Sequence, residues 1–127
     1  MALTRVPKSL RAWFVFHFFA DVAFALPLFF APRWTLALLG VVTVDPLFTR
    51  IVAAALFGIG ITSLLSAKES VETYRAMLTL KVIWSFAATL GILWSILEGY
   101  ASAAWLAFCI FLVFHIVWLY YWWKLRQ

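Results

Sequence analysis

Four long apolar stretches, parted by short clusters of charged and turn-forming residues, organise this chain at about residues 12–31, 47–67, 76–97 and 103–123. Each matches the roughly 20 residues that an α-helix needs to cross a hydrocarbon layer about 30 Å thick. Together they use most of the chain and leave no soluble domain between them. The pattern predicts an all-α fold: an antiparallel four-helix transmembrane bundle with short connections, one transmembrane domain over residues 1–127.

The connection between the first two spans breaks the pattern. PRWTLALLGVVTVDP, residues 32–46, is nearly as apolar as the spans but too short to cross. A proline opens it and Asp45-Pro46 closes it, which predicts an interfacial or re-entrant helix capping one end of the bundle.

Composition agrees with this class. The chain is 67% hydrophobic, 20% aromatic and only 12% charged, far from the balance of a soluble domain. Arg5, Lys8 and Arg11 ahead of an apolar run that reaches Ala23-Phe24-Ala25 imitate a cleavable leader. That run continues past Ala25 and contains His17 and Asp21, so it reads as the first span. The single cysteine, Cys109, permits no intrachain disulfide.

Charge supplies an orientation. Arg5, Lys8, Arg11, Lys68, Arg75, Lys124 and Arg126 fall on one side of the expected topology, and only Arg33 and Arg50 on the other. Basic loops stay in the cytoplasm, so both termini are expected there. The net charge of +5 then reflects topology and attraction to anionic lipid. No basic stripe interleaved with aromatics projects into water, and nucleic acid is not an expected partner.

The second span carries Ala54, Gly58, Thr62 and Ser66 at intervals of four behind Arg50. Small residues let helix backbones approach closely in lipid, so this stripe is the expected helix-packing face, within the bundle or between two copies of a homodimer. Arg50 is expected to snorkel or to pair with Asp45 or Glu98. The block PLFTRIVAAALFGIGITSLLSAK, residues 46–68, has an arginine opening a span rich in alanine and glycine that closes at a short polar turn. In this it resembles small uncharacterised bacterial four-span membrane proteins. The resemblance implies the fold and a bacterial inner membrane, and no activity or site residues.

Candidate chemistry sits inside the spans. FVFHFFAD, residues 14–21, holds His17 and Asp21 one helical turn apart; the third span holds Lys81, Ser85 and Thr89, and the fourth His115. At about 1.5 Å per residue from the basic flanks, His17 lies roughly 9 Å deep, Asp21 about 15 Å, Lys81 about 9 Å and His115 about 13 Å. Thr62, Ser63 and Ser66 supply hydroxyls at comparable depth. An ionised side chain turned to lipid costs several kcal/mol, so these groups are expected to face inward as a polar cluster. Asp21 would pair there with Lys81 or a histidine.

The expected use of His17, Asp21, Lys81, Ser85 and His115 is a site for a proton or small ligand, serving transport if copies of the chain assemble. An accessory subunit of a larger membrane complex is a second reading. Haem or metal binding through His17 and His115, with Asp21 as a third ligand, is another. No Gly-x-Ser-x-Gly elbow or comparable nucleophile motif is present, so an enzyme has no anchor in the sequence.

Overall fold

The computed structural model describes residues 4–100 and 103–127, and every regular element among them is a helix. In chain order these are α1 (Lys8–Phe30), α2 (Pro32–Leu38), α3 (Pro46–Leu65), α4 (Val71–Leu97) and α5 (Ala104–Arg126). All except α2 are long and apolar enough to cross a membrane, with mean hydropathies between 1.7 and 2.0 in their most apolar stretches. The protein is an all-helical, multi-pass membrane protein.

Local chemistry explains where the helices start and stop. The Asp45 carboxylate accepts from the backbone N–H groups of Leu47 at 2.9 Å and Phe48 at 3.3 Å, and Pro46 opens α3 where its missing N–H costs nothing. Ser70 caps α4 by accepting from the N–H of Thr73 at 3.3 Å. This cap lets α4 begin at Val71, before the apolar run, so its first turn carries Glu72 and Arg75 follows directly after it. At the far end Gly99 takes φ 92°, and the Tyr100 N–H reaches back to the Ser95 carbonyl at 3.0 Å. Gly40, at φ 74°, ends α2 in the same way, with the Val41 N–H bonded to the Leu36 carbonyl at 2.9 Å. The expected helix in the 32–46 segment is therefore real but spans Pro32–Leu38 only, and residues 39–45 are irregular.

The chain divides into two units, Pro7–Lys68 and a second made of Glu69–Gln127 with the N-terminal residues up to Val6. In the first, α1 and α3 form an antiparallel hairpin with α2 in its connection. Arg11 near the start of α1 donates from its guanidinium to the Ala67 carbonyl just past α3. At the opposite end Arg50 Nε donates to the Phe29 carbonyl at 3.1 Å. Arg50 is thus tied through Nε to the last turn of α1, while Asp45, one of its expected partners, caps α3.

In the second unit α4 and α5 are likewise antiparallel. Arg75 Nε donates to the Leu125 carbonyl at 2.8 Å, and Trp122 Nε1 donates to Thr79 Oγ1 at 3.1 Å. The Arg126 guanidinium lies 4.1 Å from the Trp122 ring centroid and also reaches Thr79 Oγ1 at 3.3 Å.

Each long helix buries one seam whose members are spaced three and four residues apart, the interval that keeps a stripe on one side of an α-helix. On α1 these are Leu10, Phe14, His17, Asp21 and Ala25. On α3 they are Ala53, Leu56, Ile59, Gly60 and Ser63. The expected small-residue stripe is not this seam: Ala54, Gly58 and Thr62 are exposed and only Ser66 is buried, so the stripe does not pack within the hairpin, and its other expected use, between two copies, is untouched by this. A strict interval of four residues turns by roughly 40° at each step, so a stripe of four such residues wanders about 120° around the helix. Its start and its end cannot both face the same neighbour. The outward faces carry large apolar side chains such as Phe19, Phe30, Leu65 and Ile83, as a lipid-facing surface requires.

Candidate functional site

The buried polar residues occupy the seams of the helices, and each hairpin holds its own set. In the first hairpin His17 and Asp21 stand one turn apart on the buried side of α1, 5% and 7% exposed. His17 Nε2 lies 3.3 Å from Asp21 Oδ1. The i, i+4 interval produces this meeting without any help from tertiary structure.

Gly60 of α3 determines how closely this carboxylate is enclosed. A Cβ at position 60 would fall 2.8 Å from Asp21 Cβ and 3.3 Å from Asp21 Oδ2, a clash that only movement of a backbone would relieve. Glycine is needed here for space, since its backbone has an ordinary helical φ. Ser63, one turn further along the same face of α3, is fully buried and donates to the Ile59 carbonyl at 2.6 Å. In the antiparallel register this is the level of His17. Gly58, two residues away from Gly60, has nothing within 4 Å of an added Cβ.

The second hairpin holds Lys81, Ser85, Thr89 and His115. Lys81 is fully buried, with Nζ 4.7 Å from the centroid of the equally buried Trp118 ring. The electron-rich ring face stabilises the ammonium where water is excluded. Phe114 stacks on Trp118 one turn earlier, with centroids 5.7 Å apart and planes inclined by 16°. Ser85 Oγ and His115 Nδ1 share a hydrogen bond of 2.8 Å that ties α4 to α5.

Ser85 has a single hydroxyl proton and two acceptors within range, His115 Nδ1 and the Val82 carbonyl at 3.3 Å. When the proton goes to Val82, His115 carries its own proton on Nδ1 and presents a lone pair at Nε2. When it goes to His115, Nε2 holds the proton instead. Rotation of one hydroxyl therefore selects the tautomer of the imidazole. Thr89 Oγ1 donates to the Ser85 carbonyl at 2.6 Å, so its hydroxyl is spent on its own helix.

The structure thus joins His17 with Asp21, and Ser85 with His115, and sets Lys81 against the face of Trp118. Two contributors were not assigned from the sequence: Gly60, which makes room for the carboxylate, and Trp118, which covers the lysine. Gly60 was detectable as a member of the three-and-four series Ala53, Leu56, Gly60 and Ser63, which is smaller in side-chain volume than its surroundings. Among the described residues no three His, Cys, Asp or Glu side chains come together as a metal-binding group. As donors to a metal or haem, His17 Nε2 already faces a carboxylate and His115 Nδ1 a hydroxyl.

The fold and these side chains define a multi-pass membrane protein with buried ionisable groups within its apolar helices. Comparison with protein-family models, curated proteins and solved structures finds no match to this chain.

Proposed function

We propose that the protein binds and releases protons, or a small ligand that exchanges a proton, at the His17–Asp21 pair within the membrane. The observation that carries this reading is the 3.3 Å approach of an imidazole nitrogen to a carboxylate oxygen, both nearly sealed from the surface. Such a pair holds one proton in either of two places and takes up or gives off a second when water or ligand arrives. Intramembrane carboxylates and histidines cost stability, and proton relays are the use that most often offsets the cost.

The distribution of basic residues supports an inner-membrane protein with both termini cytoplasmic: Arg5, Lys8, Arg11, Lys68, Arg75, Lys124 and Arg126 against Arg33 and Arg50. In this orientation His17 lies nearer the cytoplasmic end of α1 and Asp21 close to its middle.

Infrared difference spectroscopy of the protein in lipid, driven by pH, tests the reading. The expected result is a carboxylic acid C=O band that is absent from Asp21→Asn and whose midpoint moves in His17→Gln. Asp21→Asn keeps the side-chain volume that fits against Gly60. A spectrum with no band assignable to Asp21 at any pH the protein tolerates would end the proposal.

A further inference from the structure

The end of the first hairpin that bears α2 carries an open notch of about 490 Å3, lined by Ala31, Pro32, Arg33, Trp34, Pro46 and Arg50. Its chemistry is unlike that of the rest of the surface. Two guanidinium groups reach it from different helices, Arg33 from the first turn of α2 and Arg50 from the first turns of α3. Arg33 makes no hydrogen bond or ion pair with any described residue. Arg50 uses only Nε, at the Phe29 carbonyl, which leaves both terminal amino groups open.

No carboxylate of this hairpin neutralises them. The acidic residues of the hairpin are Asp21 and Asp45. Asp21 belongs to the buried pair with His17, and Asp45 is engaged with the backbone of α3. Two unneutralised arginines at one notch form a fork for a planar or tetrahedral oxyanion, and arginine suits phosphate because its N–H groups match two oxygens at once.

The apolar surroundings decide where such an anion comes from. Trp34, which lines the notch, is 62% exposed, and Phe30 at 74%, Leu38 at 67% and Leu47 at 64% lie within five residues of Arg33 or Arg50 in the chain. An anion held here stands among side chains that prefer acyl chains, with an indole where head groups meet hydrocarbon. We infer that the Arg33–Arg50 notch binds the phosphodiester of an anionic phospholipid, with the lipid tails lying over the adjoining exposed apolar side chains. The site is independent of the proton-exchange reading.

Native mass spectrometry of the protein from micelles with equal phosphatidylglycerol and phosphatidylcholine provides the test. The full chain should retain phosphatidylglycerol in preference, and Arg33→Gln should lower that retention about fivefold, the effect of one basic residue at a lipid surface. Arg33→Gln is the decisive variant because its side chain supports nothing else, whereas Arg50→Gln also removes a helix-end contact. Lys68→Gln, which removes the same charge from an exposed site at the other end of the hairpin, should leave retention unchanged. Equal losses in Arg33→Gln and Lys68→Gln would overturn the site, since net charge alone would then explain binding. Displacement of the lipid by millimolar inorganic phosphate would also overturn the lipid assignment and identify a free-anion site. Undiminished retention in Arg33→Gln would remove the notch from consideration.

Discussion

The two hairpins hold their helices together by different means. α1 and α3 approach closely at Gly60, and an arginine-to-carbonyl bond closes each end, Arg11 to Ala67 and Arg50 to Phe29. α4 and α5 meet through larger groups, and their described cross-helix side-chain bonds are Ser85–His115 and a cluster of Arg75, Thr79, Trp122 and Arg126 near one end. Every buried residue of these helices lies between Val71 and Ser85 or between Phe114 and Leu125. Lipid provides no solvophobic force between apolar helices, so contact must come from close packing or from interhelical hydrogen bonds. The first hairpin relies on packing through a gap only glycine leaves, and the second on side chains long enough to reach across. Consequently the carboxylate of the first is held in a fixed small space, while the imidazole of the second is positioned by a rotatable hydroxyl.

The largest expected effect comes from filling the gap. Gly60→Ala places a methyl group against Asp21 and should cost about 1–3 kcal/mol, the usual range for overpacking. Gly58→Ala meets open space and should be neutral or stabilising by up to about 1 kcal/mol, through helix propensity alone. Thermal unfolding of both variants in detergent reads the difference; equal effects would remove the close approach at Gly60 that sets the first hairpin apart.

Next come the helix-end arginines. Arg75→Gln removes a partly buried bond to Leu125 from the hairpin without a close backbone approach of this kind and should cost about 1.5 kcal/mol or more. Arg50→Gln removes an exposed bond from a hairpin that keeps Arg11, and should cost less than about 1 kcal/mol. The same unfolding assay would show the reverse order if end clamps mattered equally, or more, where packing is tight.

The smallest change in stability, about 1 kcal/mol or below, is expected for Ser85→Ala. Its signature lies elsewhere: nitrogen NMR of the labelled imidazoles should show His115 redistributing between tautomers while His17 stays as it was. An unaltered His115 spectrum would mean that the hydroxyl does not govern the ring.

Much of this arrangement is legible in the sequence because lipid imposes simple demands. Four runs of sufficient length gave four helices, and α2 was visible as an apolar segment bracketed by prolines. The meeting of His17 and Asp21 follows from their spacing on one helix. The packed face of α3 was harder to read. In water a helix displays its buried side through contrast with polar residues, but in lipid both sides are apolar and the contrast vanishes. Ala54 and Ala53 are equally small neighbours, yet one is exposed and the other fully buried. Arg50 was also beyond a reading of charges, since its partner is a main-chain carbonyl, a group every residue possesses.

The position of the Arg11 clamp along the chain bears on biogenesis. Its acceptor belongs to Ala67, and the unit it closes ends at Lys68. All the bonds that fasten α1 to α3 are therefore encoded before residue 69, and a ribosome that has delivered the second span has supplied every partner the first one needs in this hairpin. Insertion can proceed two helices at a time, with the first pair latched at both ends while the second is still being translated.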